Sequence, residues 1–191
     1  MRQLRKVATA LVLTGVVVAG TTGTAGAATG QADKASSAAV CSTAWGSGTK
    51  SDLDSFAKPL TNIRTGQHAC YDRMVFDTSG ATGKVGYHIS YVSSFQQDGT
   101  GTQIPVAGGA ILQIYVNAPS YDPETGNVIY PGRPAQTLPG VNITGYRTFK
   151  DTRFGASFEG RTQVGLGLRA KLPFRVLQSG DKLIVDVAHT W

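Results

Sequence analysis

Five stretches of the chain alternate apolar and polar residues with a period of two. In Arg73-Met-Val-Phe-Asp77, Met74 and Phe76 take one side and Arg73, Val75 and Asp77 the other. Tyr87–Val92 groups Tyr87, Ile89 and Tyr91, and Ile111–Asn117 groups Leu112, Ile114 and Val116. The longest run, Thr162–Leu172, puts Val164, Leu166, Leu168, Ala170 and Leu172 opposite Gln163, Gly165, Gly167, Arg169 and Lys171. Lys182–Ala188 sets Leu183, Val185 and Val187 against Ile184, Asp186 and Ala188. A period of two is the repeat of a strand with one buried and one solvated face. Turn pairs such as Ser79-Gly80, Asp98-Gly99, Thr125-Gly126 and Ser179-Gly180 separate these runs. Short strands broken in this way predict an all-β fold, an antiparallel sandwich or barrel. The predicted exception is one short helix at 51–58, where Ser51-Asp-Leu-Asp54 has capping-box spacing and Pro59 ends it. Residues 117–142 are proline-rich and barely alternate, which predicts a long loop over one edge.

The N-terminal segment follows a different pattern. Met1–Lys6 is basic, Val7–Ala19 is apolar apart from Thr9, Thr14 and Gly15, and Ala25-x-Ala27 fits signal-peptidase cleavage. Residues 1–27 are therefore predicted to be a cleaved signal peptide and the protein to be secreted or wall-associated. The rival reading, a retained anchor, needs roughly 20 apolar residues. Residues 28–40, rich in Ala, Ser, Thr and Gly, read as a flexible linker, and residues 41–191 as the domain. In an oxidising compartment Cys41 and Cys70 read as a disulfide. The alternative, a redox or metal pair, lacks His ligands at suitable spacing.

Composition narrows the class further. With 24 glycines, 41% apolar and 16% charged residues, the chain is neither a charged disordered tail nor a coiled coil nor a collagen repeat. The formal charge of +6 includes Arg2, Arg5 and Lys6 of the leader; beyond them stand 15 basic against 12 acidic residues, or +3. A nucleic-acid binder would show a denser basic stripe.

Candidate chemistry is sparse. His68, His88 and His189 show no metal-binding spacing, so no metal or cofactor is expected. No G-x-S-x-G nucleophile motif occurs. Asp77 and Asp186 each close an apolar strand, and pairing with an arginine such as Arg73 or Arg175 accounts for them more simply than glycosidase-type carboxylates do. Gly165-Leu-Gly167 lies inside a strand, not ahead of a helix, so it is not a phosphate loop. It predicts a flat outer face flanked by Arg169 and Lys171, either a solvated face or a surface for an anionic glycan or another sheet. In Tyr146–Phe154, alternation places Tyr146, Thr148 and Lys150 on one side and Arg147 and Phe149 on the other, so half of the run is expected in the core. Aromatic rings beside arginine there could stack on sugar rings or bases.

The motifs also resemble a known family. Ile63-Arg64-Thr65-Gly66 followed by Tyr71-Asp72-Arg73-Met-Val75-Phe76-Asp77-Thr-Ser79-Gly80 resembles the opening of an AMIN-type (amidase N-terminal) domain. Pro173-Phe174-Arg175-Val176, a turn and Lys182-Leu-Ile-Val-Asp186-Val resemble its close. Cys41–Trp191 as a whole is similar to the actinobacterial AMIN-like secreted proteins, through Thr65-Gly66-x-His68-x-Cys70-Tyr71-Asp72-Arg73, Phe158-Glu-Gly160 and Val185-Asp-Val-Ala-His189-x-Trp191. The resemblance implies a β-sandwich and a non-catalytic cell-envelope module that binds peptidoglycan or another cell-wall polymer. Arg64, Tyr146, Arg169 and Lys171 are the expected ligand-binding residues. The alternative is a protein–protein interaction module that scaffolds another secreted or envelope protein; a small secreted hydrolase is the third reading.

Overall fold

The computed structural model describes residues 41, 44–53, 58–80 and 83–191. The predicted signal peptide and linker lie outside the described residues. Among the described residues nine strands follow in chain order: β1 (Lys50–Asp52), β2 (Leu60–Gln67), β3 (Tyr71–Thr78), β4 (Tyr87–Val92), β5 (Ala110–Val116), β6 (Phe149–Phe158), β7 (Arg161–Leu168), β8 (Phe174–Ser179) and β9 (Lys182–Ala188). All pair antiparallel, in a five-stranded sheet β1-β4-β5-β7-β6 and a four-stranded sheet β2-β3-β9-β8. The two sheets pack face to face as a β-sandwich, and among the described residues there is no helix.

The core comes from the alternation. Ile89, Leu112, Ile114, Val164 and Leu166 of one sheet meet Ile63, Met74, Phe76, Leu183 and Val185 of the other, each with no exposed surface. Full burial of such a side chain stabilises the fold by roughly 1.5–3 kcal/mol before conformational entropy is counted. The 117–142 loop does cover one edge: Ala135 N–H donates to Phe154 O and Phe154 N–H to Gln136 O, both at 2.9 Å, along β6. Tyr130 and Leu138 anchor that loop in the core.

Four local expectations need correction. The predicted helix at 51–58 is not formed at its start: Lys50, Ser51 and Asp52 pair with Ile89, His88 and Tyr87 as an edge strand. A ladder on β4 outweighs a local capping signal; residues 54–57 lie outside the described residues. The run 162–172 is not one strand. β7 stops at Leu168, and the chain crosses to the other sheet, carrying Leu172 into the core on the way to β8. Thr148 is fully buried beside Phe149, because β6 starts at Phe149 and bulges between Phe149 and Asp151.

The fourth correction concerns the glycine face, which is neither flat nor open. Phe95 lies on it, and a Cβ at Gly165 or at Gly155 would come within 2.8 Å of its ring. At Gly167 a Cβ would sit 2.0 Å from Ala107 O. The glycines make room for the 93–108 connection to fold back across the sheet.

Candidate functional site: the outer face of the four-stranded sheet

Register builds this site. With Met74, Phe76, Leu183 and Val185 turned inward, β3 must present Tyr71, Arg73 and Asp77 outward, β9 must present Asp186, and β8 Arg175. Arg73, Asp186 and Arg175 fall side by side across three strands. Arg73 Nε donates to Asp186 Oδ1 at 2.6 Å, Arg73 Nη2 to Oδ2 at 3.0 Å, and Arg175 Nε to Oδ2 at 2.9 Å. The expected pairing of Asp186 is thus met by both arginines. The carboxylate is fully buried beneath them, while the Arg73 and Arg175 side chains remain 25% and 35% exposed. The bond to Asp186 holds the Arg73 pKa above its ordinary value against the opposing effect of burial.

Aromatic rings frame the cations. The Arg175 guanidinium stands 4.3 Å from the Trp45 ring centroid and 5.3 Å from that of Tyr71. Arg73 lies 5.2 Å from the Tyr71 ring, and its Nη2 donates to the Tyr71 hydroxyl at 3.3 Å. His68 stacks on Tyr71 at 4.5 Å, and Trp45 meets Tyr71 edge-on at 5.8 Å. Two positive groups share one carboxylate here, so the cluster keeps one net positive charge between partly exposed rings. Farther along β2 and β3, Arg64 grips Asp77 with Nε at 2.7 Å and Nη2 at 3.0 Å, a two-pronged pair. That contact with Asp77 raises the Arg64 pKa.

The rings are held in place from one end. The Cys41–Cys70 disulfide forms as expected, with Cα atoms 5.3 Å apart. It ties the segment leading to Trp45 to the turn that precedes Tyr71. Beneath that turn His189 is buried, with Nδ1 at 3.2 Å from Ala69 O and Nε2 at 3.0 Å from Asp72 Oδ1. Both ring nitrogens face oxygens. Asp72 Oδ2 accepts the Thr148 N–H at 2.6 Å, which joins this knot to the start of β6.

The four residues expected to bind ligand occupy different elements. Arg64 lies on this face. Tyr146 stacks on Phe149 at 5.7 Å, half-buried, in the loop before β6. Arg169 donates to His189 O, and the Lys171 ammonium sits 5.6 Å from the Tyr91 ring; both lie in the β7–β8 crossing. The Trp45–Tyr71 frame went unread in the sequence. Its one signal there is the outward period of Tyr71-x-Arg73, which register alone aligns with Arg175.

Among the described residues no group of three His, Cys, Asp or Glu is placed to hold a metal ion, and no helix is long and apolar enough to cross a membrane. A family model for the AMIN-like domain matches residues 58–189, which take in β2 to β9. The chain belongs to the AMIN-like domain family. No curated protein and no solved structure matches it significantly. AMIN-like domains are cell-envelope-associated modules, found in extracellular or envelope proteins, and are generally non-catalytic. Trp45 and the disulfide half Cys41 lie ahead of the matched stretch, so the domain supplies the two arginines and Tyr71, and the preceding arm adds the indole.

Proposed function

We propose that this AMIN-like chain is a secreted, non-catalytic envelope module that holds peptidoglycan or another cell-wall polymer on the outer face of its four-stranded sheet. The observation that carries this reading is the sharing of one buried carboxylate, Asp186, by two part-exposed guanidiniums between Trp45 and Tyr71. Such a face offers a net positive charge for carboxylates and ring faces for sugars. Peptidoglycan carries both. Arg64 extends the face along β2; Arg169, Lys171 and Tyr146 stand outside it as secondary contacts.

Co-sedimentation of the purified protein with cell-wall sacculi, at low and at high salt, tests this. Attraction by net charge alone fades as the screening length falls from about 10 Å at 0.1 M to about 3 Å at 1 M. Specific recognition predicts a bound fraction that persists at high salt. Loss of binding at high salt, with capture of a single envelope protein instead, would replace wall binding with the scaffolding role.

A further inference from the structure

The two long connections of the chain, between β4 and β5 and between β5 and β6, line one cleft of about 520 Å³ beside β6. Its apolar side is Phe154, Ala156 and Phe158 of β6 with Val128. Phe158 is 47% exposed and Val128 70%, high values for large apolar side chains. A second, more polar hollow of about 330 Å³ lies beside it, lined by Gln96, Gln113 and Tyr115. The two share Gln97, Asp98 and Gly99, so the 97–101 turn is a ridge with a cleft on each flank.

This turn is built to stay put. Gln163 is 2% exposed, and its Oε1 accepts the Asp98 N–H at 2.9 Å while its Nε2 donates to Gln96 O at 2.8 Å. The same amide reaches the Tyr115 hydroxyl at 3.1 Å. Below, Phe95 is seated against Gly155 and Gly165, positions where any Cβ would strike it. A surface turn fixed by a buried amide and a buried ring has the rigidity a binding site needs.

The lining also decides what kind of ligand fits. Among the described residues neither cleft is lined by a lysine or arginine, and the carboxylate of Asp98 is paired with Arg161 at 3.4 Å. Arg161, over the Tyr115 ring at 5.1 Å, is the cation at this edge, and Asp98 balances its charge. What remains is glutamine amides, which both donate and accept, hydroxyls, and aromatic rings. Among the described residues the Gln97 side-chain amide and the Tyr121 hydroxyl have no hydrogen-bond partner, while the Gln97 backbone N–H donates to Thr102 O at 2.8 Å. Sugar rings match this set: their C–H faces pack on an aromatic ring, and their hydroxyls pair with amides.

We propose that the clefts flanking the 97–101 turn form a binding site for a neutral oligosaccharide, with one unit on Phe158 and the strand crossing the turn toward Gln96. This site is separate from the cationic face and does not depend on wall binding there. The test is a titration of isotope-labelled protein, followed by NMR, with maltotetraose, cellotetraose and the tetramer of N-acetylglucosamine. At least one tetramer is expected to shift the amides of residues 97–101 and 156–158. Phe158→Ala and, separately, Gln97→Ala should weaken that tetramer at least about tenfold with an unchanged spectrum elsewhere. Trp45→Ala, which alters only the cationic face, should leave the affinity as it is. No shift at the turn with any tetramer at about 10 mM would overturn the proposal. So would shifts that survive Phe158→Ala, or a stronger response to an uncharged apolar peptide.

Discussion

Asp186 and Phe95 show how much a single position decides in this molecule. Asp186 is buried and serves two arginines, so Asp186→Ala removes three charge-assisted bonds at once. The arginines keep a quarter to a third of their exposure and can recover water, which limits the damage. A loss of roughly 1–3 kcal/mol in urea denaturation is expected. Gly165→Ala puts a methyl 2.8 Å from the Phe95 ring and should cost roughly 1–3 kcal/mol by overpacking. In a Phe95→Ala background the same substitution should cost far less, a non-additivity that a double-mutant cycle reads directly. The pairing of Asp186 was legible in the sequence, because a carboxylate ending an apolar strand needs a cation and Arg73 and Arg175 were at hand. The covering of Gly165 was not legible. An in-strand glycine signals a close approach without saying from which side, and Phe95 arrives from a connection with no repeat of its own.

Elements are where local pattern and tertiary pairing compete. Ser51-x-x-Asp54 has the spacing of a helix start, yet Lys50–Asp52 joins the edge of β4, since three backbone pairs on an open edge outweigh one capping bond. The alternation of 162–172 continues past the end of β7 because Leu172 faces the same core from the crossing, not from the strand. Met74, Phe76, Leu112, Ile114, Val185 and Val187 behave as their period predicts, since strands buried on one side have one register that hides them. The arm bearing Trp45 is tied by the disulfide, whose halves are 29 residues apart, and by the Phe174 N–H donating to Gly46 O at 3.0 Å. Cys41→Ser with Cys70→Ser should lower stability by about 3–4 kcal/mol on the chain-entropy account. It should also free the indole from Arg175, which a red shift and faster quenching of Trp fluorescence would report, with Trp45→Phe marking its share. An unchanged spectrum would mean that ring contacts and the Phe174–Gly46 backbone bond fix the arm without the disulfide.

For the whole molecule, one titration reports the joint between the sheets. Tyr91 of β4 donates its hydroxyl to Leu172 O at 2.7 Å and accepts from Leu172 N at 2.9 Å, so it locks the crossing to the five-stranded sheet. Burial pushes its pKa up to about 12, outweighing the bond to Leu172 that lowers it. A phenol that holds its proton more tightly when folded stabilises the native state fully below about pH 10, its unfolded value. That contribution is lost as the pH rises toward 12. Stability should therefore fall between about pH 10 and 12, and Tyr91→Phe should flatten part of the fall. Tyr130, also raised by burial, steepens the same limb in both proteins.

At this scale the sandwich and the family were both legible, because alternation and motif order survive without coordinates. On the outer face of the four-stranded sheet, the pairing of Asp186 with Arg73 and Arg175 was legible. Its framing by Trp45 and Tyr71 comes about through register and a disulfide, neither of which leaves a local mark.

The most direct measurement compares the sacculus-bound fraction of two double variants with the unaltered protein at high salt, after melting curves confirm that each is folded. Trp45→Ala with Arg175→Gln strips the ring and removes one positive charge, the shared cation; Arg169→Ala with Lys171→Ala removes two positive charges from the crossing. The account predicts that the first loses at least about 90% of binding, near tenfold in affinity, and the second little. Equal losses, or retention by the first, would contradict it.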